Sequence, residues 1–274
     1  MELIFIAGGV FLVLLLLLAQ ALSKGVGTVG GALKQVGLFV LQKNPPGLVD
    51  IFDDKDGSGS RTWMNFGMLW LVFATLLGFL LGWHTYDPTA LDSLASVGWS
   101  YDDGSSLREA TLNFLTIALL YGLVGSGMVA TARNGSGRLA SEANASMVAL
   151  LLTAVLLATY ILPFIFGFLD VDTSENPIRT ILYSLETLAV GLLLVPVFIN
   201  LLITAANRGD QELQTSVWFL LMGIAAYIIS MLYMFFGELA GATQMVWFAE
   251  RVAHGWVPLA LMFSVGYHLS LIHI

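Results

Sequence analysis

The chain has 274 residues, a formal net charge of -8, 57% hydrophobic residues and only 11% charged ones, with no cysteine. Soluble domains carry about a quarter charged residues, so a mean hydropathy of +0.84 excludes an ordinary soluble fold. The missing cysteine excludes disulfides, thiolate metal sites and iron–sulfur clusters, and the acidic balance excludes a basic surface for nucleic acid.

Apolar runs of about 20 residues are long enough to cross a bilayer as helices, and no stretch alternates polar and apolar residues as a membrane barrel would. The sequence therefore predicts an all-α, polytopic transmembrane bundle of about seven helices. The spans are Leu3–Leu22, Met64–Trp83, Ala110–Ala132, Ala145–Leu169, Thr180–Ala205, Val217–Leu239 and Met245–His268. Residues 1–22 form an extra N-terminal helix, which we read as a retained helix: neither a positive n-region nor a small-residue cleavage site accompanies it. Residues 23–63 read as a cytoplasmic loop, with Gly25–Leu41 lying in the membrane interface and Asn44–Gly47 and Asp56–Ser60 as turns or linker.

Basic residues set the orientation. Lys24, Lys34, Lys43, Lys55, Arg61, Arg133, Arg138 and Arg208 lie in the odd-numbered loops; Arg108 and Arg179 lie in the even-numbered ones, beside a run of aspartates. The positive-inside bias predicts odd loops in the cytoplasm and the N-terminus outside. Residues 269–274, Leu-Ser-Leu-Ile-His-Ile, read as one frame of the transposase-end adapter used in sequencing libraries. That reading predicts a natural protein that continues past His268.

Ionisable residues within a membrane are costly and mark candidate functional sites. The last span carries Glu250, Arg251, His254 and His268. Glu250 and His254 are four apart and share a face; His268 follows on nearly the same face, roughly 21 Å further along, too far to share a metal ion with His254. Neutral imidazole is a common ligand for copper, iron and zinc, which makes His254 the candidate metal residue; a packing histidine bonded to a neighbouring helix fits the sequence equally well. Glu186 and Glu250 are the candidate proton-handling carboxylates. The competing readings are a carboxylate snorkelling to the interface for Glu186 and an interfacial pair with Arg251 for Glu250. Glu238 and His84 sit near helix ends and read as interfacial or surface residues. Pro163, Pro196 and Pro258 are expected to kink or loosen their helices.

From Met64 onward the pattern resembles the first half of the catalytic subunit of heme-copper oxidases, closest to the C-type oxidases and their nitric oxide reductase relatives. The resemblance is carried by Leu107–Phe114 leading into the small-residue run Gly122–Arg133, by Met231-Leu232-Tyr233-Met234 before a short loop, and by the aromatic approach Trp247 to His254. It implies that residues 64–268 form six family helices, and that His254 takes the place of the first histidine ligand of copper or non-heme iron facing a high-spin heme. It also implies reduction of O2 or NO, heme plus copper or non-heme iron, partner respiratory subunits and a small electron-donor protein, in the plasma membrane. One departure is plain: the family's second helix supplies a histidine to a low-spin heme, and Ala110–Ala132 contains none. The alternative is a non-enzymatic membrane protein, either a transporter or an accessory subunit.

Overall fold

The computed structural model describes residues 52–92, 104–168, 177–209 and 212–273, together with Val13. The first predicted span, the interfacial segment and the Asn44–Gly47 turn lie outside the described residues. Those that are described fold into helices: α1 (Ser58–Tyr86), α2 (Gly104–Asn134), α3 (Glu142–Phe168), α4 (Pro177–Ala206), α5 (Thr215–Leu239), α6 (Thr243–Arg251) and α7 (Val257–His273). A single π-helical turn, Val252–Trp256, joins α6 to α7. Five of these helices are long and apolar enough to cross a membrane, which makes this a multi-pass membrane protein. Residues 245–268, the last predicted span, are helical through α6, the π turn and α7.

The start of α1 differs from the expectation. Ser58, Gly59 and Ser60 form its first turn rather than a linker. Polar, glycine-rich residues hold a helix here because acceptors from elsewhere reach its free amides. Gly57 adopts φ 76°, a left-handed conformation that suits glycine, and turns the chain so that the amides of Gly57 and Gly59 both donate to the Glu142 carboxylate, at 3.0 and 2.9 Å. Asp54 returns the favour at the start of α3, accepting from the amides of Glu142 and Ala143 at 3.1 and 3.2 Å. Two helix N-termini thus cap each other, and each receives a negative group where its dipole is positive. Arg138 ties the corner by pairing with Asp54 at 2.9 Å and Asp56 at 3.5 Å.

At its other end α1 stops before Pro88. A residue preceding proline is driven out of the helical region, and Asp87 is accordingly extended.

α2 is the central helix and α1 an edge helix: 61% of the most apolar window of α2 is buried, against 17% for α1. The α1–α2 crossing is close because its contact residues are small. A β-carbon on Gly67 would lie 2.9 Å from the Gly122 amide nitrogen, and one on Gly125 3.0 Å from the Ser60 carbonyl oxygen. Without a hydrophobic force between helices in lipid, close backbone approach and dispersion carry the association. Inside, Trp63 donates to the Ala145 carbonyl at 2.9 Å, and the Tyr121 hydroxyl meets the Ala149 carbonyl at 3.1 Å and the Thr153 hydroxyl at 2.9 Å. The outward face of α1, including Met68, Val72, Leu76 and Phe79, is exposed and apolar, as a lipid-facing surface should be.

Two ends of the bundle can be told apart. The Glu142 end gathers the starts of α1, α3 and α5 with the C-termini of α2 and α4. There Asn200 binds the backbone of Ser141 in both directions and Thr204 accepts from the Ala140 amide. The opposite end, called here the Glu238 end, gathers the C-terminus of α5 and the start of α6.

Candidate functional site

Depth within the bundle follows from which residues lie side by side on antiparallel helices. Between α4 and α5, Gly191 packs on Met231 and Ser184 donates to Glu238 at 2.5 Å. Glu186 is therefore level with Phe236. Between α5 and the α6–α7 element, Gly237 packs on Val246, Gly223 on Leu261, and Ser264 donates to the Ser216 carbonyl at 2.6 Å. That register puts Glu250 level with Tyr233–Met234 and His254 level with Ile229–Ser230. The midpoint of α5 is Tyr227.

The consequence is a ladder. Glu238, Glu186, Glu250, His254 and Tyr227 descend from the end of α5 to the middle of the bundle, spanning about 16 Å at 1.5 Å per residue. Neighbours are within electrostatic reach: Glu186 of Glu238 and Tyr227, Glu238 of Glu250, and Glu250 of His254. The Thr159 hydroxyl lies beside Glu186, and Tyr227 is buried within electrostatic reach of Tyr121. The three carboxylates are half-buried.

The structure places the two carboxylates singled out in the sequence, Glu186 and Glu250, each within reach of Glu238, and Glu250 within reach of His254. Glu238 stands in the last turn of α5, near a helix end as expected, and accepts there from Ser184. His268 does not join it; it lies near the Glu142 end, with no hydrogen-bond partner for either ring nitrogen among the described residues. His84 sits half-buried in the last turn of α1.

His254 occupies the π turn. Pro258 has no amide hydrogen, and in an α-helix its ring would press on the carbonyl four residues back, which is that of His254. The chain widens instead, and the Val257 amide donates to Val252, five residues back. Single π turns of this kind occur frequently at functional sites. The turn leaves Val252 and Ala253 buried but His254 and Trp256 exposed on the outside of the described bundle.

Among the described residues no three His, Cys, Asp or Glu side chains are grouped to hold a metal ion. His254 with Glu250 supplies two donors at most, and the described part of α2 carries no histidine. The described residues therefore group no three donors for copper or non-heme iron. The chain matches no known family's sequence pattern, no curated protein and no solved structure.

Sequence reasoning missed Glu142, Asp54, Tyr121 and Tyr227. Ser141, whose hydroxyl accepts from the Asn144 amide at 3.1 Å, is a helix-cap residue type visible in the sequence and would have drawn attention to Glu142. Nothing local marks the other three.

Proposed function

We propose that this chain is a proton-handling subunit of the plasma membrane, in which Glu238, Glu186, Glu250 and His254 pass protons between one membrane face and the middle of the bilayer. The observation that supports this is the ladder itself. Protonatable groups on three helices and the π turn fall in depth by a few ångströms per step, in a chain whose other described helix surfaces are largely apolar. Ionisable groups so placed are typical of proton relays.

For the reaction served, the oxidase resemblance stands on the residues quoted for it. In that reading the subunit belongs to a respiratory oxidoreductase reducing O2 or NO, and the ladder delivers protons to the bilayer middle. The observation favouring it is that His254 lies at that depth and is exposed, so that ligands from outside the described residues can reach it. Those residues group no three donors for a metal ion, and no step of the chemistry is assigned to them. The alternative, a transporter or an accessory subunit of a membrane complex, would use the same ladder without a redox centre.

Two measurements test the reading. In liposomes of the purified chain, infrared titration of the protonated carboxyl bands should change in Glu186→Gln and Glu238→Gln beyond the loss of one band, because the groups are coupled. Bands that titrate independently would overturn the relay. A reduced-minus-oxidised heme spectrum of the chain expressed in a heme-proficient host, with His254→Ala beside it, separates the two classes. Heme bands altered by the mutation favour the oxidoreductase, and a heme-free protein with coupled carboxyls favours the transporter or accessory subunit.

A further inference from the structure

The face of the α6–π–α7 element that carries His254 is unlike the other outward faces. Elsewhere, as on α1, exposed residues at mid-depth are uncharged and, apart from Thr75, whose hydroxyl donates to the Leu71 carbonyl, apolar. Here Arg251 and His254 are exposed among Trp247, Leu259 and Phe263. The register with α5 puts His254 within about 4 Å of the midpoint of that helix, and so close to the centre of the hydrocarbon layer. The Arg251 guanidinium lies over the Trp247 ring at 5.4 Å, and among the described residues it has no carboxylate within salt-bridge distance. A polar side chain facing lipid at this depth costs several kcal/mol, and such residues almost always face protein, a cavity or a partner. Pro258 adds to the demand, since it cannot donate to the His254 carbonyl.

We infer that this face docks a transmembrane helix of a partner protein, and that the partner presents a carboxylate at the level of His254 and Arg251. The commitment to an acidic partner follows from charge. The face offers a cation and an imidazole N–H, so a second copy of the chain would set arginine against arginine and histidine against histidine. The face shares His254 with the proton ladder, whose carboxylates Glu238, Glu186 and Glu250 are half-buried where His254 and Arg251 are exposed.

The absence of cysteine makes the test clean. Single-cysteine variants Leu259→Cys and Phe263→Cys on this face, with Val72→Cys on the lipid side of α1, are spin-labelled in native membranes and again after purification into lipid alone. Expected is oxygen accessibility at 259 and 263 several-fold below that at 72 in native membranes, rising to match it in lipid alone. A polyleucine transmembrane peptide with one central glutamate, added in chelator-containing buffer, should lower it again, whereas an all-leucine peptide should not. His254→Leu should weaken that preference.

High accessibility in native membranes would mean a lipid-facing surface and overturn the inference. Low accessibility that persists in lipid alone would mean a cover supplied by the chain itself, and dipolar broadening between labels would mean a second copy; either overturns it. Indifference to the glutamate would overturn the acidic partner, and a response that appears only when metal replaces chelator would assign the face to a metal instead.

Discussion

Removing the carboxylate of Glu142 should open one end of the bundle. In Glu142→Ala the amides of Gly57, Gly59 and Leu139, which donate to it at 3.0, 2.9 and 3.1 Å, lose their acceptor together. A helix-capping bond contributes about 1 kcal/mol, and a bond to a charged group about 1.5–3 kcal/mol. Water can replace part of this, because the corner borders exposed loop residues. Counting about 1 kcal/mol for each of three amides gives a loss of about 3 kcal/mol. Glu142→Gln keeps one acceptor oxygen but removes the negative charge from the start of α1, and should cost about 1 kcal/mol. Asp54→Ala removes the cap of α3 and the Arg138 pair, for about 1–2 kcal/mol. Because Asp54 fixes the turn that carries Glu142, the two losses should fall short of additive by about 1 kcal/mol. Unfolding by sodium dodecyl sulfate in mixed micelles, followed by circular dichroism and by tryptophan emission, measures these differences. Trp63, fully buried and bonded to Ala145 in the same corner, reports locally. A Glu142→Ala protein within about 0.5 kcal/mol of the parent, or a strictly additive double mutant, would refute the reciprocal capping.

Three further outcomes are expected. Gly67→Ala should loosen α1 from α2 and cost about 1–3 kcal/mol, since the new methyl meets backbone at 2.9 Å and backbone cannot yield cheaply; Gly82→Ala, with open space around it, should be neutral or slightly stabilising in the same assay. Tyr121→Phe should cost about 1 kcal/mol through the lost hydrogen bonds to the Ala149 carbonyl and the Thr153 hydroxyl, with helix content unchanged by circular dichroism. Thr89 donates to the Asp87 carboxylate from its hydroxyl at 2.8 Å and its amide at 3.0 Å, and these bonds hold the Asp87 pKa below its usual value. A depressed folded value stabilises the turn above the unfolded pKa of about 3.9 and loses that support as pH falls through the folded value. Amide exchange at Thr89 should therefore accelerate in strong acid, and in Asp87→Asn it should lose that pH dependence.

Much of the architecture was legible because the bilayer imposes it. Apolar runs of the right length must become helices, since no other local structure satisfies the backbone without water. Spans two to six accordingly match α1 to α5 to within a few residues at most ends. Two starts come six residues early, α1 at Ser58 and α2 at Gly104; the first depends on Glu142, 84 residues away in sequence from Ser58, and no local pattern encodes an acceptor supplied from so far. The same division runs through the candidate site. Glu186, Glu250 and His254 stood out one by one, because a charge in an apolar run is conspicuous wherever it lies. Their order in depth, the inclusion of Glu238 and Tyr227, and the outward aim of His254 were set by helix register. That register depends on which small residues meet, Gly191 on Met231, Gly223 on Leu261 and Gly237 on Val246, and on a π turn that rotates one helix face against the next. By itself the sequence determined that this protein lives in a bilayer and which residues are costly there. Only the tertiary structure decided which of them stand together, because proximity between helices is a property of packing and not of spacing along the chain.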